Sequence, residues 1–271
     1  MPELPEVETT LRGIEPFVLQ QKIVSVVIRH YGLRWPIQPD IATILTGQTV
    51  KSAYRRGKYL LLTTTKGTLI IHLGMSGSIR ILMNAALPKK HDHVDILFAN
   101  QACLRFTDPR RFGAFLWTTE LPETHSLLNH LGPEPLSDAF TGKHLWDIAR
   151  KRKVPVKSFI MDSKVVVGVG NIYANEALFA AGISPKKAAG KISLPQYVAL
   201  VEAIRAILKA AIKQGGTTLK DFVSSDGAKG YFKVHLKVYG RSGEPCLVCQ
   251  TTLKEIRLGQ RSTVYCSRCQ K

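Results

Sequence analysis

The chain has 271 residues, 45% of them hydrophobic, which is enough for more than one buried core and too apolar for intrinsic disorder. Lysine and arginine outnumber aspartate and glutamate 38 to 20, and the resulting charge of +18 favours a polyanionic partner. The chain carries no apolar run of about 18 residues and its start is acidic, so no membrane span or signal peptide is expected; the cytoplasm, alongside the nucleoid, is the expected location.

The first predicted element is a helix over residues 5–13, with Val7, Leu11 and Ile14 at helical spacing, Pro5 in its first turn and Glu6 and Glu8 near its start. Residues 1–20 carry a net charge of −3, so the rest of the chain carries +21. Acids gathered at one end of a basic chain read as acid chemistry facing a phosphate backbone, or as carboxylates complementing a helix dipole; both can hold. Pro2 follows the initiator methionine, and its small side chain permits trimming of Met1. The new terminus is a secondary amine beside Glu3, titrating near ~8. Condensed with an aldehyde or a sugar C1′, such an amine forms an iminium that keeps its charge and acts as an electron sink. A proline that simply opens a helix is the plain alternative.

Eight short segments rich in β-branched and aromatic residues follow, at 22–29, 50–55, 59–64, 68–73, 78–82, 94–99, 102–107 and 112–117. They predict a β-sandwich or barrel. Three of their loops are basic or glycine-rich. Lys58 follows Arg55-Arg56-Gly57 at a turn. Met75 lies in His72-Leu73-Gly74-Met75-Ser76-Gly77-Ser78, and Phe112 in Asp108-Pro109-Arg110-Arg111-Phe112-Gly113. Met75 and Phe112 suit either a core or wedges that enter a base stack when a nucleotide is extruded. Lys90-His91-Asp92-His93 has metal-ligand residue types but no clear third ligand, so DNA contact or core hydrogen bonding is expected.

The pattern turns helical after Leu131-Gly132-Pro133-Glu134-Pro135, which places a boundary at residues 130–136. Helices are predicted from a Thr141 cap to about Arg150, from Pro155 to about Asp162, from Asn171 to Gly182, and over 195–213. Gly168-Val169-Gly170-Asn171 can aim free backbone N–H groups at an anion, with Lys151, Arg152, Lys153 and Lys157 on the approach. That combination predicts a phosphate-binding helix–turn–helix variant. Finally, Cys246-x2-Cys249 and Cys266-x2-Cys269 match the tetrahedral thiolate set of one structural Zn²⁺; two disulfides are the alternative, in a chain with no other sign of an oxidising compartment. A predicted hairpin between the pairs carries Arg261 at its turn, placed to hold a phosphate, and residues 227–271 carry nine basic and two acidic side chains. Cys103 reads as core.

In this order, P-E-L-P-E-V-E-T, R-R-G-K-Y-L, H-L-G-M-S-G-S, K-H-D-H-V-D, D-P-R-R-F-G, V-G-V-G-N-I-Y-A and the four-cysteine finger resemble formamidopyrimidine-DNA glycosylases over essentially the whole chain. The resemblance implies an α+β multidomain fold: an N-terminal catalytic β-sandwich over 1–130, a helix–two-turn–helix domain over 136–225 and a zinc-finger hairpin over 237–271, with DNA in the cleft between two lobes. It implies a monomeric glycosylase and AP lyase of base excision repair, acting on double-stranded DNA with an oxidised purine or an abasic site. Pro2 is then the nucleophile at C1′, Glu3 the acid that helps open the sugar ring, Lys58 the β-elimination residue and Arg261 the holder of the lesion's phosphate. His91, Arg110, Arg152, Lys157 and Asn171 match DNA-binding positions. Met75, Arg110 and Phe112 match the trio that fills the gap left by the flipped base, with Arg110 reading the opposite cytosine. Glu6 matches a supporting carboxylate, and residues 216–231 match a loop that closes over the extruded base. An endonuclease VIII-like enzyme for oxidised pyrimidines is the alternative within the same chemistry, against which Leu4 and the Met75/Arg110/Phe112 set weigh. A non-enzymatic zinc-finger DNA-binding protein would explain the charge and cysteines but not Pro2, Glu3 and Lys58 together.

Overall fold

The computed structural model of the protein describes residues 2–83, 86–216 and 236–271. The described chain divides into two units, one of residues 2–129 with 214–216 and one of residues 130–213 with 236–271.

The first unit opens with α1 (Leu4–Val18). Its start is set by Glu6, whose carboxylate reaches back one turn to accept the Glu3 N–H at 2.8 Å. The helix runs past its predicted end at Gly13 because Ile14 and Val18 are fully buried. Burying two such side chains contributes roughly 1.5–3 kcal/mol each, which offsets the cost of Gly13 and Pro16 inside a helix.

All eight strands form. One antiparallel sheet has the order β1 (Ile23–Ile28), β6 (Asp92–Phe98), β7 (Cys103–Thr107), β5 (Ser78–Leu82). The other has the order β2 (Ser52–Arg56), β3 (Tyr59–Thr63), β4 (Thr68–His72), β8 (Ala114–Thr118). Leu60, Leu62, Leu69, Ile71 and Phe115 of one sheet meet Ile79, Val94, Ile96, Leu104 and Phe106 of the other, and α1 adds Val7, Leu11, Ile14 and Val18 to the same core. Two sheets with apolar faces packed together make a sandwich and exclude the closed barrel. The short helix α2 (Ile41–Leu45) carried no periodic signal at five residues, yet Ile41 and Leu45 are both fully buried. The last strand begins at Ala114, two residues later than its pattern predicts, because the Gly113 N–H is taken by the Asp108 carboxylate at 2.8 Å instead of by a neighbouring strand.

The second unit contains α3 (Gly142–Ala149), α4 (Val156–Ile160), α5 (Asn171–Ala180) and α6 (Leu194–Lys213). Thr141 caps α3 as predicted, its hydroxyl accepting the His144 N–H at 3.0 Å. α6 buries the stripe Tyr197, Leu200, Val201, Ile204, Leu208 and Ala211, and α3 and α5 pack against it. A hairpin of β9 (Lys254–Leu258) and β10 (Arg261–Tyr265) completes the unit. Phe179 of α5 lies in the same apolar cluster as Val238, Leu253, Val264, Cys246 and Cys266, so the cysteine-bearing segment packs onto the helices. Among the described residues no helix is long and apolar enough to cross a membrane.

Candidate active site

In the first unit, the candidate nucleophile and its carboxylates stand at the head of α1. Pro2 and Glu3 are buried there and Glu6 is fully buried. Gly216 approaches Glu6 closely: at φ +80°, a Cβ added to it would lie 3.1 Å from Glu6 Oε1. Gly216 is the first residue of the segment expected to close over an extruded base; residues 217–231 of that segment lie outside the described residues.

Lys58 follows the left-handed Gly57 (φ +57°) at the β2–β3 turn and is half-buried. A side-chain relay links this turn to α1. The Arg55 guanidinium donates through Nε to Glu8 Oε2 at 3.0 Å and through Nη1 to the Gly57 carbonyl at 2.9 Å. Burial would raise the Glu8 pKa, but hydrogen bonds from Arg55 and Arg12 hold it below the ordinary carboxylate value. Sequence reasoning missed Glu8 and Arg55 as site-building residues, because neither one touches the reacting atoms in any motif; only their pairing across 47 residues shows the role.

It also missed His72. This residue pairs with Tyr59 across β3 and β4, and the two rings sit 4.7 Å apart. Burial, with the positive charges of Lys58 and Arg34 added, pulls its pKa down to about 4, so the imidazole is neutral. Its Nδ1 accepts the Gly74 N–H at 3.1 Å, which leaves the proton on Nε2. The available signal was its place at a strand end, one register step from Lys58.

The gap-filling candidates occupy two loops that touch. Phe112 is 41% exposed, large for such a side chain, and the Arg110 guanidinium stacks over its ring at 4.8 Å. Met75 is half-buried in the neighbouring loop. Arg111 holds a left-handed conformation (φ +57°), its carbonyl accepting from the Arg34 N–H at 2.8 Å and its Nη1 donating to His30 Nε2 at 2.8 Å. His91 borders a basic cavity of about 420 Å³ together with Arg29, His30, Lys89, Lys90 and Arg111. Asp92 and His93 of the same motif also line this cavity, but their polar atoms are engaged within the fold. Asp92 accepts from Arg80 at 3.2 Å, and buried His93 donates to the Asp108 carbonyl at 2.8 Å. No metal set forms there; among the described residues only the four cysteines make one.

In the second unit, Gly168 (φ +81°) and Gly170 lead into the N-terminus of α5, where Asn171 is the first helical residue. Arg152 is exposed and Lys157 is not: at 1% exposure, Lys157 has its ammonium inside the unit. Its Nζ donates to Asn171 Oδ1 at 2.6 Å, to the Ser262 carbonyl at 2.8 Å and to Thr263 Oγ1 at 2.7 Å. One buried cation therefore ties the start of α5 to the strand that carries Arg261. Asn175 adds a second tie, its Oδ1 accepting the Val264 N–H at 2.9 Å. Glu176 ties α5 to a different segment, accepting the N–H groups of Lys237, Val238 and Tyr239 at 2.8–2.9 Å. Arg261 itself is exposed, just past the two-residue Gly259-Gln260 turn, whose φ values of +52° and +62° match a tight hairpin connection.

The four cysteine sulfurs lie within 4.8 Å of one another. A tetrahedron with Zn–S bonds of ~2.3 Å has edges of roughly 3.8 Å, so the donor set and spacing fit one zinc ion. All four positions are protein thiolates, leaving none for substrate.

Family models match three consecutive stretches: the "Formamidopyrimidine-DNA glycosylase N-terminal domain" at residues 1–115, the "Formamidopyrimidine-DNA glycosylase H2TH domain" at 131–223 and the "Zinc finger found in FPG and IleRS" at 243–271. The chain belongs to the formamidopyrimidine-DNA glycosylase family. Its similarity to the formamidopyrimidine-DNA glycosylase of Methylococcus capsulatus is 59% identity over 271 residues, the full length of both. The crystal structure of MutM (Fpg) from Thermus thermophilus superposes with a TM-score of 0.89 at 35% identity, covering 99% of this chain and 98% of that one. A Lactococcus lactis Fpg mutant in complex with Fapy-dG-containing DNA gives 0.90 at 33% identity, with complete coverage of both chains. The chain thus has the fold of this glycosylase family, its base-excision glycosylase and AP-lyase activity and its single structural zinc, held by Cys246, Cys249, Cys266 and Cys269.

Proposed function

We propose that the protein excises oxidised purines, 8-oxoguanine opposite cytosine and formamidopyrimidines, from double-stranded DNA and cleaves the strand at the resulting site, using Pro2 as nucleophile. It acts as a monomer in the cytoplasm, on nucleoid DNA. The observation that carries the reading is the head of α1, where Pro2 and Glu3 lie buried beside the Glu6 carboxylate that fixes the Glu3 backbone.

With Met1 removed, the Pro2 nitrogen attacks C1′ of the damaged nucleotide and the C1′–N9 bond breaks, the electron pair leaving with the base. Glu3 supplies the proton that opens the sugar ring, and the nitrogen's lone pair closes an iminium. The cation acidifies the 2′ hydrogen. Its removal, served by Lys58, expels the 3′ phosphate by β-elimination; a second elimination, assisted by Arg261, expels the 5′ phosphate. The zinc ion supplies only structure to the finger that carries Arg261.

DNA binding draws on both units. His91 lines a basic cavity, Arg152 and Arg261 are exposed cations, and Asn171 stands at a helix N-terminus, where backbone N–H groups favour phosphate. Met75, Arg110 and Phe112 fill the gap left by the flipped base, and Arg110 reads the cytosine opposite. Lys157 contributes from inside, by holding Asn171 and the hairpin.

The test is borohydride trapping on a duplex with 8-oxoguanine opposite cytosine, followed by peptide mapping. The adduct is expected on residue 2. An adduct on Lys58, or none with a correctly trimmed terminus, would overturn the assignment. Equal or faster excision of oxidised pyrimidines in competition would instead favour the endonuclease VIII-like reading.

A further inference from the structure

The loop bearing Met75 and the loop bearing Arg110 and Phe112 are joined by a fully buried carboxylate that the chemistry above does not use. Asp108 Oδ1 accepts the Ser76 hydroxyl at 3.1 Å and the Arg110 N–H at 3.3 Å, while Oδ2 accepts the Gly113 N–H at 2.8 Å. Ser76 Oγ in turn accepts the Arg110 N–H at 3.3 Å. The backbone of Asp108 is held as well, its carbonyl by His93 Nε2–H at 2.8 Å and its N–H by the His91 carbonyl at 3.0 Å. The two loops also meet backbone to backbone. A Cβ on Gly74 would come within 2.6 Å of Gly113 N and of Phe112 C, and one on Gly113 within 2.7 Å of the His72 carbonyl.

We propose that Asp108 and Ser76 are a positioning pair that locks these two loops into one rigid wedge, so that Met75, Arg110 and Phe112 enter the duplex together and Arg110 is aimed at the opposite base. This rests on the gap-filling role given to those three side chains. The chemistry requires a carboxylate. Both oxygens of Asp108 accept, from three donors on both loops, and an asparagine would turn an N–H donor against one of them. Arg110 and Phe112 are exposed and Met75 is half-buried. The buried Asp108, two residues before Arg110, and the buried Ser76, next to Met75, hold the backbones that carry them as a fixed template. Fixing them in advance lowers the ordering cost at the moment of insertion.

Two variants, Ser76→Ala and Asp108→Asn, test this by single-turnover excision of 8-oxoguanine opposite cytosine and opposite adenine. Lyase activity on an abasic site in single-stranded DNA, where there is no partner base to read or replace, is the internal reference. Ser76→Ala is expected to slow excision opposite cytosine by about 5–10-fold, since it removes the hydrogen bond to Asp108 and one of the two acceptors of the Arg110 N–H. It should narrow the cytosine-over-adenine preference and leave the single-strand lyase rate within about twofold. Asp108→Asn is expected to do the same more strongly. Should Asp108→Asn fail to fold, by its melting temperature, Ser76→Ala decides alone. An unchanged base preference in Ser76→Ala, or an equal loss on duplex and single-stranded substrates, overturns the proposal. Phe112→Ala is the control for the reading beneath it. If Phe112→Ala keeps full duplex activity, the gap-filling role fails and the wedge with it; if Phe112→Ala is impaired and Ser76→Ala is not, the lock alone fails.

Discussion

Replacing Lys157 by methionine keeps most of the side-chain volume and removes one buried ammonium. In the native unit that ammonium serves three acceptors at 2.6–2.8 Å, one on Asn171 and two on the strand of Arg261. Hydrogen bonds to a charged group contribute about 1.5–3 kcal/mol each, but the variant also escapes the cost of burying a cation, so the net loss should be about 2–4 kcal/mol. For a unit of this size each kcal/mol lowers Tm by roughly 3–6 °C, which puts the expected fall near ~10 °C. Calorimetry reads that directly. DNA binding gives the sharper result. A lysine that neutralises a phosphate lowers the salt slope, d log K/d log[salt], by about 1 when removed. Lys157 is 1% exposed, so Lys157→Met should weaken binding with the slope unchanged, because Asn171 and Arg261 lose their registration and no phosphate loses its cation. Anisotropy titrations on abasic-analogue duplex at several salt concentrations measure both. An unchanged Tm with a slope reduced by about 1 would refute the buried-tie argument and make Lys157 a direct phosphate ligand.

Three further outcomes follow from the described geometry. His72 takes up a proton near 6.5 when unfolded but only near about 4 when folded, so its contribution to stability is complete above pH 6.5 and disappears as pH falls through 4. That contribution is at most about 3 kcal/mol, and His72→Gln should flatten the urea-unfolding profile across this window; a profile parallel to the wild type would contradict a neutral His72. Arg105 holds Asp95 bidentately at 2.8 Å through Nε and Nη2 and reaches Asp92 at 3.5 Å. Arg105→Met should destabilise the first unit by about 3–5 kcal/mol at neutral pH. Burial opposes ionisation of both aspartates, yet their hydrogen bonds and the arginines hold their pKa values below normal, so this stabilisation exists above the ordinary carboxylate range and the gap between variant and wild type should close in acid. Stripping zinc with a chelator, or Cys246→Ser, should unfold the segment that packs on Phe179 and abolish DNA binding while the first unit keeps its unfolding transition; retained zinc and full affinity in Cys246→Ser would contradict the metal site.

Much of this protein is written locally in its sequence. Strand periods, the Thr141 cap and the α6 stripe depend on neighbours a few residues apart, and the structure keeps them. The cysteine pairs are legible for the same reason, since each CxxC turn supplies two thiolates by itself. Pro2 is legible because its chemistry lies in the residue type. Other features are set by partners distant along the chain. The sequence marks Lys157 as a basic residue on the approach to a phosphate site, but only packing shows its ammonium inside, bonded to residues 105 and 106 positions away. Phe112 has the pattern of a strand residue, yet the Asp108 carboxylate captures the next N–H and leaves Phe112 in a loop with its ring exposed. Glu8 and Arg55 lie in two separate motifs, and nothing in either one pairs them until the fold sets them 3.0 Å apart. Periodicity and residue chemistry thus determine which elements form and which groups can react. Burial and the pairing of distant polar groups, which only the assembled fold supplies, decide which charges stay at the surface and which are buried to hold other groups in place.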